Sequence, residues 1–162
     1  MVDYTLAPTS LGEALVAWSG KGICWLALGD DAGALERGLM RRFPATCRVP
    51  MASELAARAL LAIERADGPA GLPLDLRGTP FQVEVWTSLQ RIPRGSVISY
   101  AELARRVGRP HAYRAVAQAC GANPVGVLVP CHRVIASDGS LGGFGFGVAR
   151  KRELLRREGV RV

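Results

Sequence analysis

The chain has 162 residues, 49% of them hydrophobic and 22% charged, enough to bury an ordinary core as one domain or two small ones. A formal charge of +7 and a pI near 9.9 favour an anionic partner, nucleic acid before membrane, because clustered Arg and Lys gain by displacing counterions from phosphate. Cys24, Cys47, Cys120 and Cys131 are scattered with no CxxC pair, and only His111 and His132 stand ready to complete a metal site, so no metal or other cofactor is expected. The thiols read as reduced. Without a basic-then-apolar leader or an apolar run of membrane-spanning length, the expectation is a cytoplasmic protein with no membrane contact.

In chain order, the apolar runs Leu15–Trp18 and Ile23–Leu28 flank Ser19-Gly20-Lys21-Gly22, a hairpin signature in which glycine supplies the turn. Two helices follow, over Ala32–Phe43 and Ser53–Arg65, the second marked by Leu55, Ala59, Leu60 and Ile63 at spacings of three and four. The turn-rich stretch Ala66–Pro73 then ends the helical pattern. Strands followed by helices make residues 1–76 an α+β scaffold unit, with no cluster that demands chemistry.

Residues 77–162 read as almost entirely helical. Thr79, Pro80 and Gln82 form a capping box with proline at the first helical position, and Phe81, Val85, Trp86 and Leu89 make the apolar stripe of a helix ending near Arg91. Ser99-Tyr100-Ala101-Glu102 is a second capping box, opening a helix faced by Leu103, Ala104 and Val107 and stopped by Gly108-Arg109-Pro110. A third helix runs from about His111 to Cys120. Helix, short turn, helix is the order of a helix-turn-helix, though proteins that touch no DNA also use it. On the third helix Ala115, Val116 and Ala119 are expected inside, with Arg114 and Ala117 outside. A base-reading helix would carry Asn, Gln and several Arg; this small face with one Arg suggests close backbone approach and little sequence readout.

The run Val125–Val129 reads as a buried strand, and Pro130-Cys131-His132-Arg133-Val134 follows it. Because the thiolate is the nucleophile and free Cys is mostly thiol at neutral pH, a base or positive charge is needed beside it, which His132 and Arg133 could supply. A buried Cys-His pair that merely packs is the plain alternative. Neighbours on an extended segment point to opposite faces, so direct exchange between Cys131 and His132 requires a turn or a bridging water. Glu158 lies on the inward side of a basic terminal helix, where a carboxylate opposes the helix dipole and invites a specific partner; a surface pair with Arg156, Arg157 or Arg161 is the alternative.

Taken together, Arg114-Ala115-Val116, Asn123-Pro124, Pro130-Cys131-His132-Arg133-Val134 and Glu158 resemble the O6-alkylguanine-DNA alkyltransferases. Leu154-Leu155-Arg156-Arg157-Glu158 also resembles the C-terminal half of the bacterial adaptive-response protein of that family. The resemblance is strong from Thr79 to Glu158 and weaker before it. It implies an α+β fold, with a small ribonuclease H-like scaffold followed by a winged-helix-like domain over 77–162 that carries the helix-turn-helix. It implies single-turnover repair of double-stranded DNA by a monomer: an alkyl group moves from O6 of guanine, and from O4 of thymine, to Cys131. In that reading His132 takes the thiol proton through a water and Glu158 orients the ring.

The same resemblance makes Tyr100 the residue that turns out the target nucleotide, Arg114 the one that fills the gap, and Asn123 the tie between helix-turn-helix and cysteine segment. Ala115, Arg133 and Gly145 join the DNA and substrate contacts. Base extrusion costs a few kcal/mol, which such contacts must offset. Gly145 and Phe146 occupy lid-loop positions and leave pocket width open. The rival reading is a helix-turn-helix regulator that uses Cys131 as an alkylation sensor. A Cys-His peptidase fails for want of an oxyanion-forming nest and a separate orienting residue.

Overall fold

Residues 1–50 and 53–162 are described by the computed structural model. The chain opens with three antiparallel strands, β1 (Val2–Thr9), β2 (Gly12–Ser19) and β3 (Gly22–Gly29), followed by α1 (Ala32–Arg42) and the short β4 (Thr46–Arg48). The sheet order is β3-β2-β1-β4, with β4 parallel to β1. The β2–β3 hairpin is where the turn residues put it. Strand β1 was not legible: Pro8 and two threonines break its pattern. Because β4 reaches only Val2–Tyr4, Pro8 sits beside an open edge, where its missing N–H costs little.

Both faces of this sheet are covered, so β2 and β3 are apolar almost throughout rather than alternating. Leu15, Ala17 and Cys24 meet Leu39 and Phe43 of the α1 side. Ala14, Val16, Ile23 and Leu26 face α2 (Glu54–Arg65) and the second half of the chain. That second core is continuous across the expected boundary near 76, joining Val16 and Leu26 to Trp86, Leu128 and Leu154. Backbone bonds stitch the halves as well, from Ile23 N–H to Pro73 O at 2.9 Å and from Leu26 N–H to Pro124 O at 2.9 Å.

The second half holds α3 (Pro80–Leu89), α4 (Tyr100–Arg106), α5 (Tyr113–Gly121) and α6 (Val148–Arg157). The Thr79–Gln82 capping box is complete, with both reciprocal bonds formed. At Ser99 only half of the expected box exists: its hydroxyl accepts from Glu102 N–H, but the Glu102 carboxylate turns outward to Arg105 and Arg106. Trp86 Nε1 donates to Ala119 O at 2.8 Å, fixing α5 against α3.

Three expectations need correction. The second half is not almost all helix, since residues 122–147 form loops, a 3-10 turn at Cys131–Arg133 and the two-residue parallel pair β5 (Ile98–Ser99) and β6 (Val134–Ile135). Val125–Val129 is a buried turn, closed by Val129 N–H to Val125 O at 2.9 Å, with Val127 in the left-handed region at φ 72°. A continuous apolar run reports burial and leaves the backbone conformation open. Finally, Ala115 is exposed rather than packed, because α5 turns Val116, Ala119 and Cys120 inward and leaves Ala115 off that face.

Candidate active site

The 3-10 turn sets the site. Pro130 has no N–H to offer and its carbonyl accepts from Arg133 N–H at 3.0 Å, so the backbone coils at Cys131 instead of running on extended. The coil puts Cys131, half-buried, at the wall of a cavity of about 390 Å³ and sends His132 and Arg133 into the interior. Tyr100, Ala117, Cys120, Gly143, Phe144 and Gly145 line the same cavity. Asn123, just past α5, holds the turn in place: its Nδ2 donates to Val129 O at 2.8 Å and to Cys131 Sγ at 3.2 Å, while its Oδ1 accepts from Val125 N–H at 3.0 Å.

Beneath the cysteine lies a fully buried polar group. His132 Nε2 is 2.5 Å from Glu158 Oε2, and Glu158 Oε1 accepts from Arg133 Nε at 2.8 Å and from Gly95 N–H at 2.9 Å. Burial alone would raise the Glu158 carboxyl, but the bonds from His132, Gly95 and Arg133 together hold it below the usual range. Burial, opposed by Glu158, lowers the His132 pKa below 6.5, so the ring is neutral at pH 7. A neutral ring facing a carboxylate through Nε2 must carry its proton there. Nδ1 is therefore left as an acceptor, and it is buried with no protein partner. Burial pushes the Cys131 thiol up, opposed by Asn123 and by the Lys151 charge, so the resting residue is a thiol.

Lys151 was missed by sequence reasoning. It is wholly buried, its Nζ donating to Val134 O at 2.7 Å and to Gly143 O at 3.2 Å, and it lies 6.0 Å from the Tyr100 ring centre. The signal was available: Lys151, Leu154, Leu155 and Glu158 share one helical face, but Arg150 and Arg152 disguise it as part of a solvated basic run. Tyr100 has its phenol pushed up to about 12, chiefly by burial, and so remains a donor.

The remaining assignments divide. Arg133 is 3% exposed and spends its guanidinium on Glu158, Ile92 O and Ala66 O, so it is an internal brace and is removed from the DNA contacts. It also neutralises Glu158 instead of activating the thiol. Gly145 lies at the cavity mouth, whereas Phe146 turns away onto Gly126, where a Cβ would come within 2.3 Å of its ring. Phe144, unremarked in the sequence, lines the cavity and packs edge-on to His132 at 6.5 Å between centres. Arg114 and Ala115 are exposed on α5, away from the buried group. Charge is sharply divided: residues 77–162 hold 14 Lys and Arg against 5 Asp and Glu, a net +9, while residues 1–76 hold 7 against 9, a net −2. Among the described residues, no helix is long and apolar enough to cross a membrane, and no group of His, Cys, Asp and Glu is placed to hold a metal.

A half-buried thiol in a cavity beside the exposed helix α5, backed by a histidine that meets a carboxylate, is an arrangement able to support nucleophilic chemistry at cysteine. Residues 80–160 match the model of the 6-O-methylguanine DNA methyltransferase, DNA binding domain, and the chain belongs to that family. It is 46% identical over 160 residues to the bifunctional transcriptional activator/DNA repair enzyme Ada of Escherichia coli, a match covering 97% of this chain and 45% of that one. A methylated-DNA--protein-cysteine methyltransferase of Mycobacterium tuberculosis is 53% identical over 89 residues, 55% of this chain and 54% of the relative. The chain thus spans about half the length of the curated relatives it matches. The crystal structure of Mycobacterium tuberculosis OGT in complex with DNA superposes with a TM-score of 0.82 at 36% identity, covering 96% of this chain and 92% of that one.

Proposed function

We propose that this protein repairs alkylated double-stranded DNA by direct reversal, moving an alkyl group from O6 of guanine, and from O4 of thymine, to Cys131. The observation that carries the reading is that His132 Nδ1, in the residue after a thiol that burial keeps protonated, is a buried acceptor with no hydrogen-bond partner in the protein. In the step, the Cys131 proton passes through a water to Nδ1, and the imidazolium is stabilised by Glu158. The sulfur then attacks the alkyl carbon; a C–S bond forms and the C–O6 bond breaks. The departing electron pair stays on guanine, where the Tyr100 hydroxyl donates a hydrogen bond to the base as it leaves. The thioether has no route back, so one molecule repairs one lesion.

A base inside the duplex cannot reach the cavity, so the target must be extruded. Arg114 on exposed α5 fills the space, Ala115 allows close approach to the strand, Gly145 borders the bound base, and Asn123 keeps α5 in register with the thiol. The +9 half supplies phosphate contacts that carry no sequence information. The ribonuclease H-like description suits the three antiparallel strands with a parallel fourth, and the winged-helix-like description suits α4 and α5, with residues 1–76 as scaffold. The protein acts as a monomer in the cytoplasm.

Mass spectrometry tests the reading. After incubation with duplex DNA holding one O6-methylguanine, the peptide containing Cys131 should gain one methyl group, and Cys131→Ser should gain none while still binding DNA, since serine is far harder to ionise at nearly equal volume. Unmodified wild-type protein that binds the lesion would support the sensor reading, and methyl transfer by the serine variant would exclude Cys131 as acceptor.

A further inference from the structure

Helix α5 presents an aromatic ring that repair chemistry does not require. Tyr113 is 49% exposed and is the only aromatic among the large hydrophobic residues left at the surface, while Phe81, Tyr100, Phe144 and Phe146 all pack on the core among the described residues. It stands immediately before Arg114, whose guanidinium carbon lies 5.9 Å from the Tyr113 ring centre. Arg114 pairs with no carboxylate among the described residues, unlike Arg105 and Arg106 of α4. Its one side-chain partner is therefore a π face, which orients a guanidinium without the desolvation and charge cancellation that a carboxylate would impose.

We propose that Tyr113 is a positioning residue for base extrusion, holding Arg114 stacked and extended at the surface so that it enters the duplex already ordered. This rests on the proposed role of Arg114 above. An unrestrained Arg loses much rotamer freedom when it is inserted into a stack, and ordering it beforehand removes part of that cost from the extruded state. The ring cannot be replaced by an acid for this duty: a carboxylate would hold the guanidinium more tightly yet repel the phosphates it must pass.

The test is a coupling measurement. Duplex DNA with 2-aminopurine beside O6-methylguanine reports extrusion by fluorescence, and single-turnover methyl transfer is followed in parallel on duplex and single strand. Tyr113→Leu should cut the duplex transfer rate and the extrusion signal about threefold to fivefold, the fold-change that goes with losing an exposed cation–π contact, and the single-strand rate less than twofold. Tyr113→Phe should restore the duplex values. In an Arg114→Ala background Tyr113→Leu should add less than twofold, because nothing remains to be positioned. Equal losses on both substrates, failure of the Phe variant to rescue, or fully additive effects with Arg114→Ala would each overturn the proposal. Should the wild-type protein transfer no methyl group, the transfer reading fails while the fluorescence arm still judges Tyr113.

Discussion

Lys151 Nζ and the carbonyl oxygen of Val134 are 2.7 Å apart, and the same ammonium reaches Gly143 O at 3.2 Å, so one buried cation clips the loop at Gly143 to the strand that follows the cysteine turn. Replacing it with Met fills the volume but leaves two inward carbonyls without a donor. We expect Lys151→Met to lower unfolding stability by about 1–3 kcal/mol in urea titrations, the usual cost of an unsatisfied buried group. It should also slow alkylation of Cys131 by iodoacetamide, since a charge favouring the thiolate is gone. Unchanged thiol reactivity would confine Lys151 to holding the loop.

Glu158→Gln should slow methyl transfer by roughly tenfold to a hundredfold, below the full range for losing an acid-base group because the ring remains. The amide can still meet Nε2, yet it neither stabilises an imidazolium nor neutralises Arg133. The wild-type rate should be nearly level across neutral pH, and the variant rate should climb with pH as hydroxide takes over removal of the thiol proton. Leaving Arg133 buried without its counter-ion costs roughly 3–5 kcal/mol, so rates are compared well below the midpoint of each thermal melt. An unchanged rate and pH profile would sink the proton-transfer role.

Acid should weaken the fold in two stages. His132 has a pKa held below 6.5 by burial, so below pH 6.5 the unfolded chain binds a proton that the folded chain refuses, and stability falls as pH drops toward the folded value. Glu158, held below its ordinary 4.5, contributes stability above 4.5 that disappears as pH falls through its lowered folded value. Urea midpoints should therefore decline as pH falls below 6.5, and His132→Gln should flatten that limb while leaving the more acidic one. A level wild-type profile over this interval would contradict a neutral buried ring.

Gly145 is a tolerant position at a sensitive place. A Cβ built there meets no atom within 4 Å, and the residue borders the cavity mouth. Gly145→Val should change stability by less than about 0.5 kcal/mol while slowing transfer of a benzyl group about tenfold more than transfer of a methyl group. Equal effects on both adducts, measured as single-turnover rates, would move the size limit elsewhere in the cavity.

What the sequence revealed follows the range of the forces involved. Thr79, Ser53 and the Ser19–Gly22 turn are local devices, satisfied by neighbours within four residues, and they mark their elements accurately. The contact of His132 with Glu158 spans 26 positions and that of Arg133 with Ala66 spans 67, distances over which spacing carries no information. Resemblance pointed to Glu158 as partner of His132; nothing pointed to Arg133 as its second partner, because an arginine in a basic chain looks like a surface charge. Val125–Val129 failed for a different reason. Full burial was correctly indicated, but Asn123 and a left-handed Val127 dictate a turn that apolar composition conceals.

The separation of charge between the two halves, +9 against −2, gives the molecule a handle as well as a surface. In the field of a polyanion a body so lopsided feels a torque, which at low salt acts over a longer Debye length before contact. Encounters then favour the orientation that brings residues 77–162, which carry the cysteine cavity, toward the strand ahead of residues 1–76. Raising the ionic strength removes this alignment before it removes the contacts themselves, so arrival rate should fade with salt sooner than the grip of the bound complex.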